Sequence, residues 1–142
     1  MIAHPLRNET LNTANRNEIV DLTPRVQMQV QVNNVTSGMV VVTCPHTTAG
    51  VTVNENFDPD VKKDMLAKLE QLIPHLETYY EHDEGNSDAH LKTALVGNSV
   101  TLLVEGGKLL LGRWQGVYFC EFDGPRERRV QIKVVDFSPR ND

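Results

Sequence analysis

The sequence predicts an α+β fold, with antiparallel sheets and with helices set between N-terminal and C-terminal strands. Three observations carry that prediction. β-rich runs bounded by Gly and Pro stand on both sides of the middle of the chain, helix-period segments occupy the middle, and strand never alternates with helix as a parallel sheet would require.

Gly38 to Cys44 and Gly50 to Val53 are rich in Val and Thr and read as strands on either side of the polar turn Pro45-His46-Thr47-Thr48. That places His46 at a strand end. Asp58-Pro59 supplies an N-cap and a first-turn proline, and Val61, Met65, Leu66, Leu69, Leu72 and Ile73 then recur at helical spacing up to Pro74. A shorter helix starts at Ser87 or Asp88, carries Leu91, Ala94 and Leu95, and stops at Gly97. From Ser99 the runs Val100 to Val104, Leu109 to Leu111, Trp114 to Phe122 and Arg128 to Phe137 follow, with turns at Glu105-Gly106-Gly107 and Asp123-Gly124-Pro125. Tight turns between consecutive strands imply that those strands pair antiparallel. Val26, Met28, Val30 and Val32 alternate with Gln as a strand would, while Thr23-Pro24 looks like a helix start, so the residues alone leave this segment open. Without repeats or linkers, residues 1–142 read as one domain, continuous from about Glu18 to Phe137 and frayed at both ends.

Composition narrows the function classes. Lys and Arg number 14 against 19 Asp and Glu, a net charge of −5, which repels nucleic acid and anionic membranes. The local exception is Arg126, Arg128, Arg129 and Lys133, a cluster suited to a small anion rather than a polymer. No run approaches the roughly 18 to 20 apolar residues of a membrane span. The N-terminus, with His4, Arg7, Asn8 and Glu9, lacks the apolar core of a signal peptide, so a cytoplasmic location is expected. Cys44 and Cys120 lie in apolar stretches and read as buried thiols, and Cys44 carries little weight as a nucleophile.

Three groups of residues can carry chemistry. His46, His82 and His90 offer neutral imidazoles for a divalent metal such as zinc, with a fourth position left for water or substrate. His82 stands in Glu81-His82-Asp83-Glu84, and carboxylates beside imidazoles strengthen a ligand; the same letters also spell a solvated acidic loop. Asn54 and Glu55 follow a strand, where Glu55 can act as a general base or the pair can simply form a turn. Beyond the turn at Gly124-Pro125, an extended chain points Arg126 and Arg128 to one face, where two guanidiniums can clamp a phosphate or pair with Glu121 and Asp123. GxxxxGK[ST], GxGxxG, HExxH and GxSxG are all absent.

Taken together, His46-Thr47-Thr48-Ala49-Gly50, Asn54-Glu55, His82 with Asn86, Ala89-His90-Leu91, Gly112-Arg113-Trp114-Gln115 and Glu121-Phe122-Asp123-Gly124-Pro125-Arg126 resemble the YjbQ-type family, in this order along most of the chain. The resemblance implies an α+β fold that assembles as a homotrimer, a metal site at His46, His82 and His90, and a helix in the Thr23-Pro24 segment. Some members carry the label of secondary thiamine-phosphate synthase, a transferase. Arg113 departs from the small residue common before the Trp of that family, and either alters the anion-facing surface or sits in solvent. The expectation that follows is an enzyme acting on a small phosphorylated metabolite. A His-bound zinc would polarise it, Glu55 with Asn54 would handle a proton, and Arg126 and Arg128 beside Gln115 and Trp114 would hold the phosphate. The alternative is a trimer that binds metal or a phosphorylated ligand without chemistry.

Overall fold

A computed structural model of the chain describes residues 1–138. Among them the chain forms β1 (Ile2–Ala3), β2 (Arg7–Asn12), β3 (Glu18–Asp21), α1 (Thr23–Val32), β4 (Ser37–Thr43), β5 (Ala49–Glu55), α2 (Pro59–Leu72), α3 (Ser87–Val96), β6 (Ser99–Glu105), β7 (Lys108–Leu109), β8 (Gln115–Glu121) and β9 (Glu127–Asp136). In the larger sheet β9 lies between β4 and the pair β1 and β2, and β6 and β7 continue beyond β4; in the smaller, β8 lies between β3 and β5. Every pairing is antiparallel. The α+β class with antiparallel sheets is therefore the fold of this chain.

Period-two alternation explains which side chains face inward. Val40 and Val42 of β4, Leu102 and Val104 of β6, and Val130, Ile132 and Val134 of β9 meet Val117 and Phe119 of β8 in one core. Strand β8 is buried on both faces: Tyr118 and Cys120 point away from that core, toward Ala89 of α3 and the flanks of α2 at Leu66 and Leu69. The layers thus run large sheet, core, small sheet, then α2 and α3.

Residues 23–32 form a helix, as the family resemblance implies. Its core contribution is Leu22, Val26 and Val30, spaced by four, while Met28 and Val32 of the apparent strand pattern are exposed. Among the described residues no helix is long and apolar enough to cross a membrane.

Two expectations from sequence are corrected here. The N-terminal segment is not frayed, since β1 and β2 both pair with β9 and Leu11 is buried in the core. Nor do β8 and β9 form a hairpin, because they belong to different sheets and the Asp123-Gly124-Pro125 turn carries the chain from one to the other. Gly124 has to be glycine at this corner: a Cβ there would collide with Asn15 O, the Glu121 carboxylate and the Thr13 hydroxyl.

That corner has two companions. Register places Asn12 opposite Glu127 and Thr43 opposite Gln131 in the large sheet, and Glu18 and Ala49 both opposite Glu121 in the small one. Residues 13–17, 44–48 and 122–126 therefore all cross between the sheets at the same end of the molecule. Backbone bonds tie them together: Gly124 N–H donates to Arg16 O, Thr13 N–H to Arg126 O and Phe122 N–H to Thr48 O.

If β2 is structural, Leu11→Ala should lower the unfolding free energy by about 2–4 kcal/mol in urea denaturation. A loss below about 0.5 kcal/mol, the range of surface changes, would indicate a dispensable N-terminus.

Candidate functional site

Where the three crossovers meet, the first inward position of β9 is Arg128 and the last inward position of β8 is Glu121, 3% and 0% exposed. A pair of charges taken out of water must be matched closely and have its remaining polar groups met. Here Arg128 Nε donates to both Glu121 carboxylate oxygens at 3.1 and 2.8 Å, and Nη2 donates to Thr48 Oγ1 at 2.8 Å. Thr13 Oγ1 donates to Glu121 Oε1 at 3.1 Å. Burial pushes the Glu121 carboxyl upward, against the pull of Arg128 and Thr13.

On the Arg128 side of this pair lies a polar pocket of about 300 Å³. The crossover 44–48 contributes His46, Thr47 and Thr48 to its wall, the approach to α3 contributes Glu84, Asn86 and His90, and the corner contributes Asp123, Arg126 and Arg128. Arg126, half exposed, donates from Nη2 to Asp123 Oδ2 at 3.0 Å. Asn86 Nδ2 donates to the same oxygen at 2.8 Å. Helix α3 is seated by a network around the buried Asp88 and Lys92, in which Arg16 of the first crossover grips Asp88 with two bonds of 2.9 Å, while Lys92 Nζ reaches Asp88 at 3.0 Å and Glu70 at 2.6 Å.

His46 Nε2 accepts the Arg129 backbone N–H at 2.9 Å, so a neutral His46 carries its proton on Nδ1. Burial first, and the nearby Arg128 second, push the imidazole below its ordinary value. Cys44 is buried and donates from Sγ to Ala49 O at 3.2 Å; burial pushes its thiol up, the reverse of an activated nucleophile.

The residues singled out from sequence divide into two groups. His46, His90, Arg126 and Arg128 share the pocket, and both arginines make the carboxylate pairs with Asp123 and Glu121 that their sequence left open. His82 lies behind His90, ring centroids 5.3 Å apart and edge to face, in a neighbouring groove with Tyr79 and Tyr80. Asn54, Glu55, Trp114 and Gln115 stand at the far end of the small sheet, where Glu55 pairs with Gln115 and Ala49 with Glu121 at the pocket end. Six strand steps separate the two ends, about 20 Å. Within one chain these four residues do not reach the pocket. Trp114 packs against Phe57 with centroids 4.9 Å apart, and Arg113 lies over the Trp114 ring at 4.7 Å, so Arg113 is not on the pocket wall.

A three-histidine metal site needs three lone pairs aimed at one point. Neutral His46 has none to give, since Nε2 spends its pair on Arg129 N–H and Nδ1 holds the proton. Among the described residues no group of three or more His, Cys, Asp or Glu side chains is arranged to hold a metal ion. As the fold places them, His46, His82 and His90 do not fit a three-imidazole centre.

Sequence reading did not find the buried role of Arg128 or the pocket position of Asn86. The first had a signal: Arg128 shares its period-two row with Val130, Ile132 and Val134, an inward-facing row. The second depends on the Asn86–Asp123 bond, which spans 37 residues and has no local signature.

The family model described as "UPF0047 protein YjbQ-like" matches residues 7–136. The UPF0047 protein YugU of Bacillus subtilis is 48% identical over 130 residues, covering 92% of this chain and 98% of its own. The UPF0047 protein of Methanocaldococcus jannaschii is 48% identical over 125 residues, 88% of this chain and 90% of its own. A crystal structure of a YjbQ/UPF0047-family protein from Clostridium acetobutylicum has a TM-score of 0.89 at 49% identity, covering 91% of this chain and 99% of that one. A YbjQ-like protein from Sulfolobus solfataricus reaches the same TM-score of 0.89 at 27% identity, over 95% and 98% of the two chains. None of these four is named for an activity.

Two outcomes follow from this geometry. Glu121→Leu alone leaves a guanidinium buried without its partner and should destabilise the fold by about 3–5 kcal/mol, much of it recovered when Arg128→Met is added. An unchanged melting temperature in Glu121→Leu would contradict the pairing. Nitrogen-detected NMR of His46 should show the Nδ1–H tautomer and a titration midpoint below about 6.5; an Nε2–H ring would contradict the Arg129 bond.

Proposed function

The chain belongs to the YjbQ-like UPF0047 family, and on that footing we propose that it binds a small phosphorylated metabolite in the pocket at the three crossovers. One observation carries this reading: two guanidiniums, two threonines and His46, with its N–H on Nδ1, share one polar pocket of about 300 Å³ in a chain whose net charge is −5. Forked guanidiniums suit phosphate oxygens, and their energy is largest where water is excluded. Arg128 is held rigid by Glu121 and Thr48, while Arg126, half exposed beside Asp123, can turn toward an incoming anion. The carboxylates of Glu84 and Asp123 on the same wall exclude anions that bring nothing for them to accept.

A second reading, a zinc-dependent transferase resembling a thiamine-phosphate synthase, is favoured by the His82–His90 ring pair beside the pocket. It requires His46 to give up the Arg129 bond, and Glu55 and Asn54 to come from another copy of the chain. The homotrimer that this supposes is supported by an apolar groove beside His82, where Leu72, Tyr79, Leu91 and Leu95 are all exposed. Surfaces of this kind mark association sites.

Titration calorimetry with inorganic phosphate tests the main reading. Arg126→Ala should weaken binding by about ten-fold or more without changing the melting temperature of the free protein, and equal affinity in wild type and variant would contradict it. For the zinc reading, elemental analysis should find stoichiometric metal in the wild type and none in His90→Ala; metal retained by the variant excludes it. For the oligomer, Leu95→Glu should reduce the mass measured by light scattering to that of one chain, and an unchanged multiple would place the interface elsewhere.

A further inference from the structure

We propose that the aromatic pair Phe57 and Trp114, with Arg113 stacked on it, docks into the apolar groove at Leu72, Tyr79, Leu91 and Leu95 of a second copy of this chain. This rests on the homo-oligomer reading above and adds which two surfaces meet.

Large apolar side chains scattered singly over a surface need no explanation, but here they gather at two separate places. At the first, Phe57 and Trp114 meet edge to face with ring centroids 4.9 Å apart, and both are exposed. The Arg113 guanidinium lies over the Trp114 ring at 4.7 Å, so the three side chains brace one another before any partner arrives. Trp and Arg are the residue types that most often anchor a protein contact. At the second, Leu72 at the end of α2 and Leu91 and Leu95 of α3 line, with Tyr79 and Tyr80, a groove of about 500 Å³.

One chain cannot bring the two together. Phe57 stands just before α2, which starts at Pro59, and Leu72 ends that helix, roughly 20 Å farther on at 1.5 Å per residue. Contact between them has to be made between copies, each offering one surface and receiving the other.

Charge favours this pairing over groove meeting groove. Residues 72–87, which form the loop beside the groove, carry Glu77, Glu81, Asp83 and Glu84 and no Lys or Arg. Among the described residues only Glu84 of these four has an ionic partner, His82 at 3.4 Å. Residues 106–120 carry Lys108 and Arg113 and no Asp or Glu, and Arg113 makes no ion pair among the described residues. Two grooves face to face would set acid against acid, whereas Arg113 entering the groove meets carboxylates that lack a cation.

Trp114 is the only tryptophan of the chain, so its fluorescence reports the docking directly. Light scattering, tryptophan emission and acrylamide quenching of the full chain test the proposal. The wild type is expected to be a multiple of one chain with Trp114 shielded from the quencher. Leu95→Glu alters the groove and leaves the Trp114 surface of its own chain untouched, yet it should give single chains whose emission moves to longer wavelength and is quenched more strongly. Trp114→Ala should likewise give single chains. Should either variant lose its cooperative thermal transition, Leu72→Glu replaces the first and Arg113→Glu the second. Single chains of Leu95→Glu with the emission and quenching of the wild type, or a Trp114→Ala protein of wild-type mass, would overturn the docking while leaving the groove as an interface. A wild type that is one chain in solution would overturn the homo-oligomer reading and this inference with it.

Discussion

The ion pair between Glu121 and Arg128 is the constraint on which the remainder of the site depends. It joins the last inward position of β8 to the first inward position of β9, and so holds the two sheets together at the end where three chain segments cross. Thr13 and Thr48, from the other two crossovers, complete its hydrogen bonds. Removing either charge would leave the other stranded beside an otherwise apolar core. Because two crossovers contribute Thr13 and Thr48 and the strands on either side of the third contribute Glu121 and Arg128, the loops that form the pocket wall are positioned by buried chemistry rather than by loop sequence alone.

The same arrangement explains how a strongly polar pocket coexists with an ordinary apolar core. A guanidinium fixed by a carboxylate from behind is preorganised: its direction is set before any ligand arrives, and less side-chain freedom is lost on binding. Arg126 has the opposite character, its side chain half exposed and held, among the described residues, by Asp123 across three residues. One rigid and one adjustable cation, beside a helix α3 seated by Arg16, Asp88 and Lys92, are the arrangement on which the proposed anion site rests. Helix α3 brings His90 to the pocket through that same seating, so the Asp88 network acts on the site without touching it.

Much of this was legible in the residues, and what was not has identifiable causes. Pro59 with Asp58, and the spacing from Val61 to Leu72, describe α2 because capping and helical period are local properties. His46 at a strand end was equally plain, since Val and Thr runs flank it. Strands β1 and β2 left no comparable trace: of Arg7 to Asn12 only Leu11 is buried, so an edge strand with one core contact shows no alternation. The turn at Asp123-Gly124-Pro125 reads as a hairpin because turn chemistry reports a reversal of direction, not which sheet receives the next strand. The Thr23 segment stayed open from its residues alone because the spacing of four that Val26 and Val30 keep with Leu22 was masked by Met28 and Val32 on the exposed side. Within one chain Glu55 and Trp114 stand apart from the histidines, because segments that lie together in a family pattern can occupy opposite ends of one sheet.

The central claim is that the pocket at the crossovers, and not the Trp114 end of the small sheet, receives the anion. Amide chemical-shift mapping during a phosphate titration tests it most directly. The account predicts saturable shifts confined to residues 46–48, 84–90 and 123–129, with Asn54, Glu55, Trp114 and Gln115 unmoved. Shifts centred on those last four residues, with the crossover amides silent, would contradict it.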